Sequence, residues 1–485
     1  MTLDSRSRWL ALFVLCLGDV MIVLDGTIVN VALPSIREDL GFSQASLAWV
    51  VNAYLLTFGG FLLLGGRLGD LFGNRRIFLG GIALFTFASL ACGLATTQGT
   101  LVAARAVQGL GGAVVAAVAL SLIMNLFTEP AERAKAMGVF GFVLSGGGTL
   151  GVLLGGVLTD LFSWHWIFLV NLPVGVAVFA LGLRLLPGGV GQAASRRVDV
   201  PGALAVTAAL MLAVYAIVKA NEVGWTAGRT VGLLAAAAAL LAVFLVVEAR
   251  SSSPLVPLGL FRIRSVSTAN VVGVLMAAGM FAQFFFSALY LQLILGYSPL
   301  EVGLAYAPST VLWGATSLLL SDRLVLRFGI KTPLLSGLVL MAGALVLFGR
   351  MPVDGSYALD VLPATLLLGL GAGIAFNPLL LAAMSGVAPS ESGLASGVVN
   401  TAFMMGGALG LALLASLAAG RTDALAEGGA GALAALNGGF RAAFLAGAVL
   451  VALAAAVGAA LLRPGAPAAA HEGEHVGALA TAEAD

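Results

Sequence analysis

Charged side chains are scarce in this chain. Asp, Glu, Lys and Arg together make up 10% of its 485 residues, whereas 60% are hydrophobic. A soluble domain carries about 25% charged residues, so the composition excludes a soluble globular protein and indicates a membrane protein. The formal net charge is only +1, which gives no basic surface for nucleic acid, and we expect no nucleic-acid partner.

Cysteine, histidine and nucleotide-binding motifs are also rare or missing. The two cysteines, Cys16 and Cys92, lie in separate apolar stretches, which predicts no disulfide framework. The three histidines, His165, His471 and His475, are not spaced as a metal site, and we expect no metal. There is no Gly-x-x-x-x-Gly-Lys-Ser/Thr phosphate loop, so ATP is not the expected energy source. No nucleophile elbow or pair of catalytic acids stands in a soluble segment, and we expect no enzyme.

Long apolar runs are what the sequence has in excess. Runs of about 20 residues, the length that spans a bilayer as a helix, recur from end to end. They are too long for the strands of a membrane barrel, so the expected fold class is all-α and integral to the membrane. The fourteen predicted spans are centred in 9–31, 45–65, 77–96, 101–125, 136–159, 166–186, 200–218, 230–247, 268–295, 302–320, 332–349, 358–383, 392–418 and 440–462.

Basic residues are unequally distributed between the two sides that fourteen spans define. With the N-terminus inside, 17 of the 24 Lys and Arg residues fall in cytoplasmic segments and six fall outside, while Arg105 lies within a span. The positive-inside rule therefore predicts that both termini are cytoplasmic.

Two polar connections divide the chain. One is rich in Gly, Ala and Arg and follows span six, and the other is rich in Ser, Pro and Arg and follows span eight. We therefore expect an N-terminal six-helix bundle over 1–187, two extra linker helices with flanking loops over 188–265, and a C-terminal six-helix bundle over 266–463. The remaining 464–485, rich in Ala, Gly and Glu, is predicted to be a disordered cytoplasmic tail.

An acidic residue stands near the middle of the first span. Asp25 lies in Leu24-Asp-Gly-Thr-Ile-Val-Asn-Val-Ala-Leu-Pro34, and a carboxylate at that depth is costly to insert, so it is more often functional than incidental. It can take up and release a proton; the alternative is a structural pair with a neighbouring helix. Asp19 lies six residues earlier, about 120° round the helix, and faces roughly the same way as Asn30. Asp19 is either a second titrating site or a structurally paired acid.

A permanent positive charge, Arg105, stands near the start of span four. In an apolar zone it needs a partner or a water-filled cavity, and Gln108 lies three residues further on, on a neighbouring part of the same face. The alternative is that Arg105 extends to the outer headgroups.

Two further patterns point to helices that move against each other. The loop Gly66-Arg-Leu-Gly-Asp-Leu-Phe-Gly-Asn-Arg-Arg76 has a second copy, Leu320-Ser-Asp-Arg-Leu-Val-Leu-Arg-Phe-Gly-Ile-Lys331, after span ten. Such repetition is expected where two halves rock about a central site. Span five contains Ser145-Gly-Gly-Gly-Thr-Leu-Gly-Val-Leu-Leu-Gly-Gly156, whose glycines let another helix approach at backbone distance. Simple packing without a gating role is the alternative for these glycines.

In combination these features resemble the major facilitator superfamily, and within it the fourteen-helix branch of drug:proton antiporters. The resemblance covers all the predicted spans but not the tail, and Trp164-His-Trp-Ile-Phe-Leu-Val-Asn-Leu-Pro-Val-Gly175 is similar to the stretch entering span six in that branch. The chain departs from the branch at Val152, where Pro is usual, at His165, where Arg is usual, and at Phe403, where polar residues are frequent.

The resemblance implies a proton-coupled antiporter that exports hydrophobic drugs or an antibiotic across the bacterial cytoplasmic membrane and confers resistance. Its energy source would be the proton gradient, without a cofactor. Its partners would be a lipophilic small molecule, protons and the lipid bilayer, and the protein would be a monomer.

The resemblance also implies a role for particular residues. These are proton coupling for Asp25, Arg105 and Asp19; gating for Gly66, Asp70, Gly73, Arg75, Arg76, Asp322 and Arg323; helix packing for Gly147, Gly151, Gly155 and Gly156; and substrate binding for Asn30, Gln108, Phe281, Phe376, Asn400 and Phe403. Two other functions stay open. The fold also permits a proton-coupled importer of a small nutrient, and a non-transporting membrane sensor or enzyme is the alternative of another class.

Overall fold

The computed structural model describes residues 5–127, 129–187, 200–251, 254, 256–387 and 392–463. Within these ranges the fold is entirely helical, with sixteen α-helices and no strand. The predicted tail, 464–485, and most of the predicted linker after span six, 188–199, lie outside the described residues.

The first seven helices hold the first six predicted spans. They are α1 (Ser5–Leu40), α2 (Trp49–Phe72), α3 (Asn74–Gly93), α4 (Gln98–Leu126), α5 (Pro130–Leu161), the short α6 (Trp166–Leu169) and α7 (Asn171–Leu185).

The other nine helices follow the predicted linker. They are α8 (Val200–Val223), α9 (Gly228–Arg250), α10 (Arg264–Leu289), α11 (Pro299–Thr316), α12 (Asp322–Phe328), α13 (Lys331–Phe348), α14 (Leu362–Met384), α15 (Ser392–Glu427) and α16 (Ala432–Leu461). Short π-helical turns at Tyr290–Ile294, Ser317–Ser321 and Tyr357–Val361 extend α10, join α11 to α12 and precede α14.

Twelve of the described helical segments are long and apolar enough to cross a membrane. The predicted apolar runs 136–159 and 302–320 coincide with helices α5 and α11, which are not among those twelve. The described residues therefore establish about twelve membrane-capable helices.

The repeated loop has the same backbone feature in both copies. Gly73, between α2 and α3, has φ 94°, and Gly329, between α12 and α13, has φ 73°. A side chain disfavours this left-handed region, so glycine is the residue that lets one helix follow another so closely. The internal repeat read from the sequence is thus also a repeat of structure.

Packing divides the helices into two groups with a pair between them. In the first group, α4 packs on α2 and α3, and α1 packs on α5 and α7; in the second, α10 packs on α15 and α16, and α13 packs on α14 and α16. The groups meet where α5 packs on α11 and α2 packs on α15. Helix α8 packs on α2, α15 and α9, and so bridges the two groups.

Two contacts define the ends of the first group. Arg8, at the start of α1, forms an ion pair with Glu132, at the start of α5, at 2.7 Å. At the opposite end, Trp164 donates its indole N–H to Asp39 at 3.0 Å. We refer to these below as the Ser5 end and the Leu40 end of the bundle.

Candidate functional site

The Asp25 carboxylate lies inside the first helix group, fully buried, with both oxygens hydrogen-bonded. Arg105 donates from Nη1 to Oδ2 at 2.5 Å. Oδ1 accepts from the side-chain amides of Gln108 at 2.7 Å and Asn171 at 2.8 Å. Helices α1, α4 and α7 therefore meet at this one carboxylate.

The guanidinium of Arg105 has partners besides Asp25. Its Nε donates to the carbonyl of Val50 at 2.9 Å and its Nη1 donates to Oε1 of Gln108 at 2.7 Å. The guanidinium carbon lies 4.3 Å from the ring centroid of Tyr54 and 5.6 Å from that of Phe168. Arg105 is 0% exposed, so it does not extend to the headgroups, and its charge is compensated by dipoles and ring faces as well as by a carboxylate.

Helix α3 completes this network. The hydroxyl of Ser89 accepts from the amide of Gln108 at 2.9 Å and donates to the carbonyl of Phe85 at 2.8 Å. Cys92 Sγ lies 3.7 Å from Oε1 of Gln108. We call Asp25, Arg105, Gln108, Ser89 and Asn171 the polar network.

Asp19 lies outside the polar network. Its side chain is 4% exposed, and its Oδ2 is buried without a hydrogen-bond partner in the described part of the chain. The interpretation of Asp19 as a structurally paired acid therefore finds no partner among these residues.

The predicted aromatic substrate contacts meet in the second helix group. Phe403 of α15 lies between Phe281 of α10 and Phe376 of α14, with ring centroids 6.0 Å and 5.6 Å away and edge-to-face geometry. Phe403 is buried and the other two are half-buried. A second aromatic pair on the same helix, Phe284 stacked on Trp313 at 6.5 Å, continues this surface.

The three predicted polar substrate contacts are in different surroundings. Asn30 is half-buried and donates only to carbonyls of its own helix, Gly26 and Thr27, at 3.4 and 3.3 Å. Asn400 is half-buried on α15. Gln108 is fully buried and belongs to the polar network, so the structure places it with Asp25 and not with Asn30 or the aromatic residues.

The glycines of span five bring three helices together. A Cβ at Gly151 or Gly155 would lie 2.9 or 2.8 Å from backbone oxygens of α1, and a Cβ at Gly156 would lie 2.6 Å from the carbonyl oxygen of Pro299 on α11. At Gly147 the nearest atom would be 3.5 Å away, an ordinary contact. Close approach thus depends on three of the four predicted glycines, and Gly156 forms part of the contact between the two helix groups.

The Leu40 end is closed by contacts between the two groups. A Cβ at Gly303 of α11 would lie 2.9 Å from the carbonyl oxygen of Val152 on α5. Gln292, at the end of α10, donates to the carbonyl of Val31 on α1 at 2.8 Å. At this end, α1 and α5 therefore pack directly against α10 and α11.

The basic residues of the repeated loop bind helix ends of their own group. Arg75, at the start of α3, donates to the carbonyl of Leu183 near the end of α7. Lys331, at the start of α13, donates to the carbonyls of Ala459 and Leu462 at the end of α16, at 2.7 and 2.8 Å. A cation at a helix C-terminus is favourable, and here it ties the third span of each group to the last.

The other predicted gating residues have less to report. The side chains of Asp70 and Asp322 lie outside the described residues. Arg76 and Arg323 are exposed. A Cβ at Gly66 would approach nothing closer than 3.9 Å, whereas one at the adjacent Gly65 would lie 2.9 Å from a backbone atom of α4, so Gly65 is the position that needs to be small.

Sequence reasoning named Asp25, Arg105 and Gln108 but no role for Ser89, Asn171 or Tyr54. Asn171 stands in the stretch 164–175 that supported the resemblance, so a polar residue at the start of an apolar span was the available signal. Ser89 gave none, since a single serine in a membrane helix commonly bonds its own helix, as it does here.

The comparison with protein families decides what kind of protein this is. The family model described as Major Facilitator Superfamily matches residues 15–411. The chain belongs to the major facilitator superfamily. It is thus a multi-pass membrane transporter and not an enzyme, and a bacterial cytoplasmic membrane fits the bacterial origin of its relatives.

Curated relatives cover most of the chain. It is 44% identical over 423 residues to the puromycin resistance protein of Streptomyces alboniger, covering 87% of this chain and 84% of the relative. It is 38% identical over 423 residues to the cephamycin export protein of Amycolatopsis lactamdurans, covering 87% of each.

Solved structures agree on the fold. A bacterial homologue of the human lysosomal transporter Spinster, in an inward-facing and unoccupied conformation, superposes with a TM-score of 0.66 at 17% identity, covering 94% of this chain and 97% of that one. At this identity the likeness shows the fold alone.

Proposed function

We propose that this protein is a proton-coupled antiporter that exports an antibiotic or a related hydrophobic drug and thereby confers resistance. The observation that carries the proposal is the 44% identity, over most of both chains, with a puromycin resistance protein. The carboxylate of Asp25, buried among α1, α4 and α7, supplies a group that can bind and release a proton. The substrate is a lipophilic small molecule, and the energy source is the proton gradient, without a cofactor.

The polar network supports proton coupling through Asp25. If Asp25 is protonated, Arg105 loses its counter-ion but keeps hydrogen bonds to Val50 and Gln108 and the face of Tyr54. An uncompensated charge in the membrane is costly, and these remaining partners reduce that cost. In this proposal Asp25 is the group that titrates, and Arg105 favours its ionised form between proton-binding events.

We assign the Leu40 end to the outside of the cell. The positive-inside distribution places both termini in the cytoplasm, and this assignment requires an even number of spans. We therefore propose that α5 and the pair α11–α12 also cross the membrane, giving fourteen spans in a six-plus-two-plus-six arrangement. The contacts of α8 with both groups support its place between them.

With this orientation, the state described here is closed to the outside. Gly156 against Pro299 and Gln292 against Val31 are the closing contacts. The repeated loop lies on the cytoplasmic side, where its basic residues tie helices within each half. We propose that this makes each half move as a unit when the gate opens, and that the monomer is the transporting unit.

The substrate we propose is neutral or carries one positive charge. A divalent cation in a low-dielectric cavity requires acids at depth. The buried acids among the described residues are Asp19, Asp25 and Glu248, and Glu248 lies on α9, away from the contact between the two helix groups. The half-buried aromatic residues Phe281 and Phe376 provide an apolar surface for the rest of the molecule.

Expression in a bacterium deleted for its own drug pumps tests this function. Export of antibiotics predicts higher inhibitory concentrations of puromycin, lincomycin or ethidium with the wild-type chain than with empty vector. The variant Asp25→Asn, expressed to the same level, should resemble the empty vector. A panel with no protection, together with growth stimulated by a nutrient at limiting concentration, would favour the importer instead.

A further inference from the structure

The two acids of α1 are bonded in opposite ways. Asp25 has three hydrogen-bond donors and is 0% exposed. Asp19 is 4% exposed, and its Oδ2 has no partner in the described residues. Buried polar groups are almost always hydrogen-bonded, so a buried carboxylate oxygen without a donor indicates that a donor from outside the chain belongs there.

A buried donor without an acceptor lies near Asp19. The hydroxyl of Tyr54, on α2, is buried and has no hydrogen-bond partner in the described part of the protein. Tyr54 is close enough to Asp19 for the two to interact electrostatically, yet they are not bonded to each other. A Cβ at Gly112 of α4 would lie 3.2 Å from this hydroxyl. The two unsatisfied groups thus lie on neighbouring helices of one half, next to the small Gly112.

Asp19 also lies on the one side of α1 that faces open space. Seven residues are nearly two helical turns, so Asp19 and Gly26 share a face, and a Cβ at Gly26 would meet no atom within 4 Å. The other sides are occupied: Gly18 faces Phe78 of α3, and Leu24 faces Gly151 of α5. The half-buried Asn30 continues the open side one turn beyond Gly26.

From this geometry we infer that Asp19 and Tyr54 form a subsite for the positively charged group of the substrate, an organic ammonium or another monovalent lipophilic cation. The carboxylate oxygen accepts from or pairs with the cation, and the ring of Tyr54 offers a face or its hydroxyl. The inference rests on the proposed export function and divides its labour: Asp25 handles the proton, and Asp19 determines the preference for charge.

Ligand binding to purified protein in detergent tests this division. The probes are ethidium, a monovalent cation, and chloramphenicol, a neutral antibiotic. The variants are Asp19→Asn, which keeps the size of the side chain, and Asp19→Glu, which restores the charge. The control is Glu38→Gln, which removes an exposed carboxylate from the same helix.

We expect Asp19→Asn to lower ethidium affinity at least tenfold and to change the affinity for chloramphenicol less than threefold. Asp19→Glu should recover part of the ethidium binding, Tyr54→Phe should weaken it by a few fold, and Glu38→Gln should change neither. Equal loss for both ligands, or an unchanged ethidium affinity, would overturn the inference.

A third measurement separates this inference from the proposed function. Ligand-induced proton release is followed in the wild type and in both α1 variants. Loss of proton release in Asp19→Asn with ethidium binding intact would make Asp19 the proton carrier and overturn the inference, whereas export itself would stand. If chloramphenicol transport by the wild type is also independent of the proton gradient, the proposed function fails on its own account.

Discussion

Gln108 Nε2 lies 2.7 Å from Oδ1 of Asp25, although the two residues are 83 positions apart in the sequence. The same amide reaches Ser89 on a third helix. Its oxygen accepts from Arg105. Gln108 therefore orients both members of the buried ion pair, and the state of Asp25 is communicated to α3 and α4 through one side chain.

Replacing Asp25 by Asn should abolish coupled transport while the protein still folds. The amide preserves size and hydrogen bonding but cannot titrate, and Arg105 keeps the carbonyl of Val50 and the ring of Tyr54. The measurement is substrate-induced proton release from purified protein at matched expression. Proton release at the wild-type level from this variant would remove Asp25 from the mechanism.

Removing Arg105 should destabilise the protein more than removing Asp25. Arg105→Gln leaves a buried carboxylate with only amide donors, and breaking a buried pair this way costs on the order of 3–5 kcal/mol. The double variant with Asp25→Asn should recover much of the lost thermal stability, because neither charge is then left alone. Tm values in one detergent for the two single variants and the double variant test this; additive losses would contradict the pairing.

Much of the fold could be predicted from hydropathy, because burial in lipid needs long apolar runs. Each of the fourteen predicted runs coincides with a helix, but the helix ends could not be predicted: α1 extends over Ser5–Leu40 instead of 9–31 and includes Pro34. Polar ends and a tolerated proline do not register in a hydropathy window.

The site could be predicted only in part, for a different physical reason. Asp25, Arg105 and Gln108 stood out because charged and amide side chains are few in apolar runs. That they meet depends on how α1, α3, α4 and α7 pack, which one sequence does not reveal. Ser89 and Asn171 are ordinary residues until that packing brings them to the same carboxylate.

Gly156→Ala should weaken the closure at the Leu40 end. The added Cβ would lie 2.6 Å from the carbonyl oxygen of Pro299 and 2.8 Å from Cα of Leu300, so α5 and α11 would have to separate. A cysteine introduced at Leu153 should then react several-fold faster with a membrane-impermeant thiol reagent added outside cells. Gly147→Ala is the matched control, since its Cβ would meet nothing nearer than 3.5 Å; equal labelling in both variants would contradict this gate.

Lys331→Met should lower thermal stability without lowering ligand affinity. The ammonium donates to Ala459 and Leu462 at the end of α16, and a cation at a helix C-terminus contributes about 1 kcal/mol. Arg323→Gln removes an exposed charge from the same loop and serves as the control. A Tm unchanged by Lys331→Met but lowered by the control would show that the bonds to α16 do not matter.

Asp70→Asn should slow turnover more than it weakens binding. On the cytoplasmic side, far from a cavity at mid-membrane, its charge can bias conformations without touching substrate. Affinity in detergent should stay within a few fold of wild type while the transport rate falls. A large loss of affinity with an unchanged rate would contradict the gating assignment.

The most direct test of proton-driven export uses everted membrane vesicles, whose outer surface is the cytoplasmic face. With an acidic interior and no ATP, vesicles containing the wild-type protein should accumulate ethidium or puromycin, because outward movement of protons drives inward movement of substrate. Accumulation should disappear with a protonophore, with the gradient reversed, and in Asp25→Asn. Accumulation that ignores the sign of the gradient, or that begins only when ATP is added, would contradict the account.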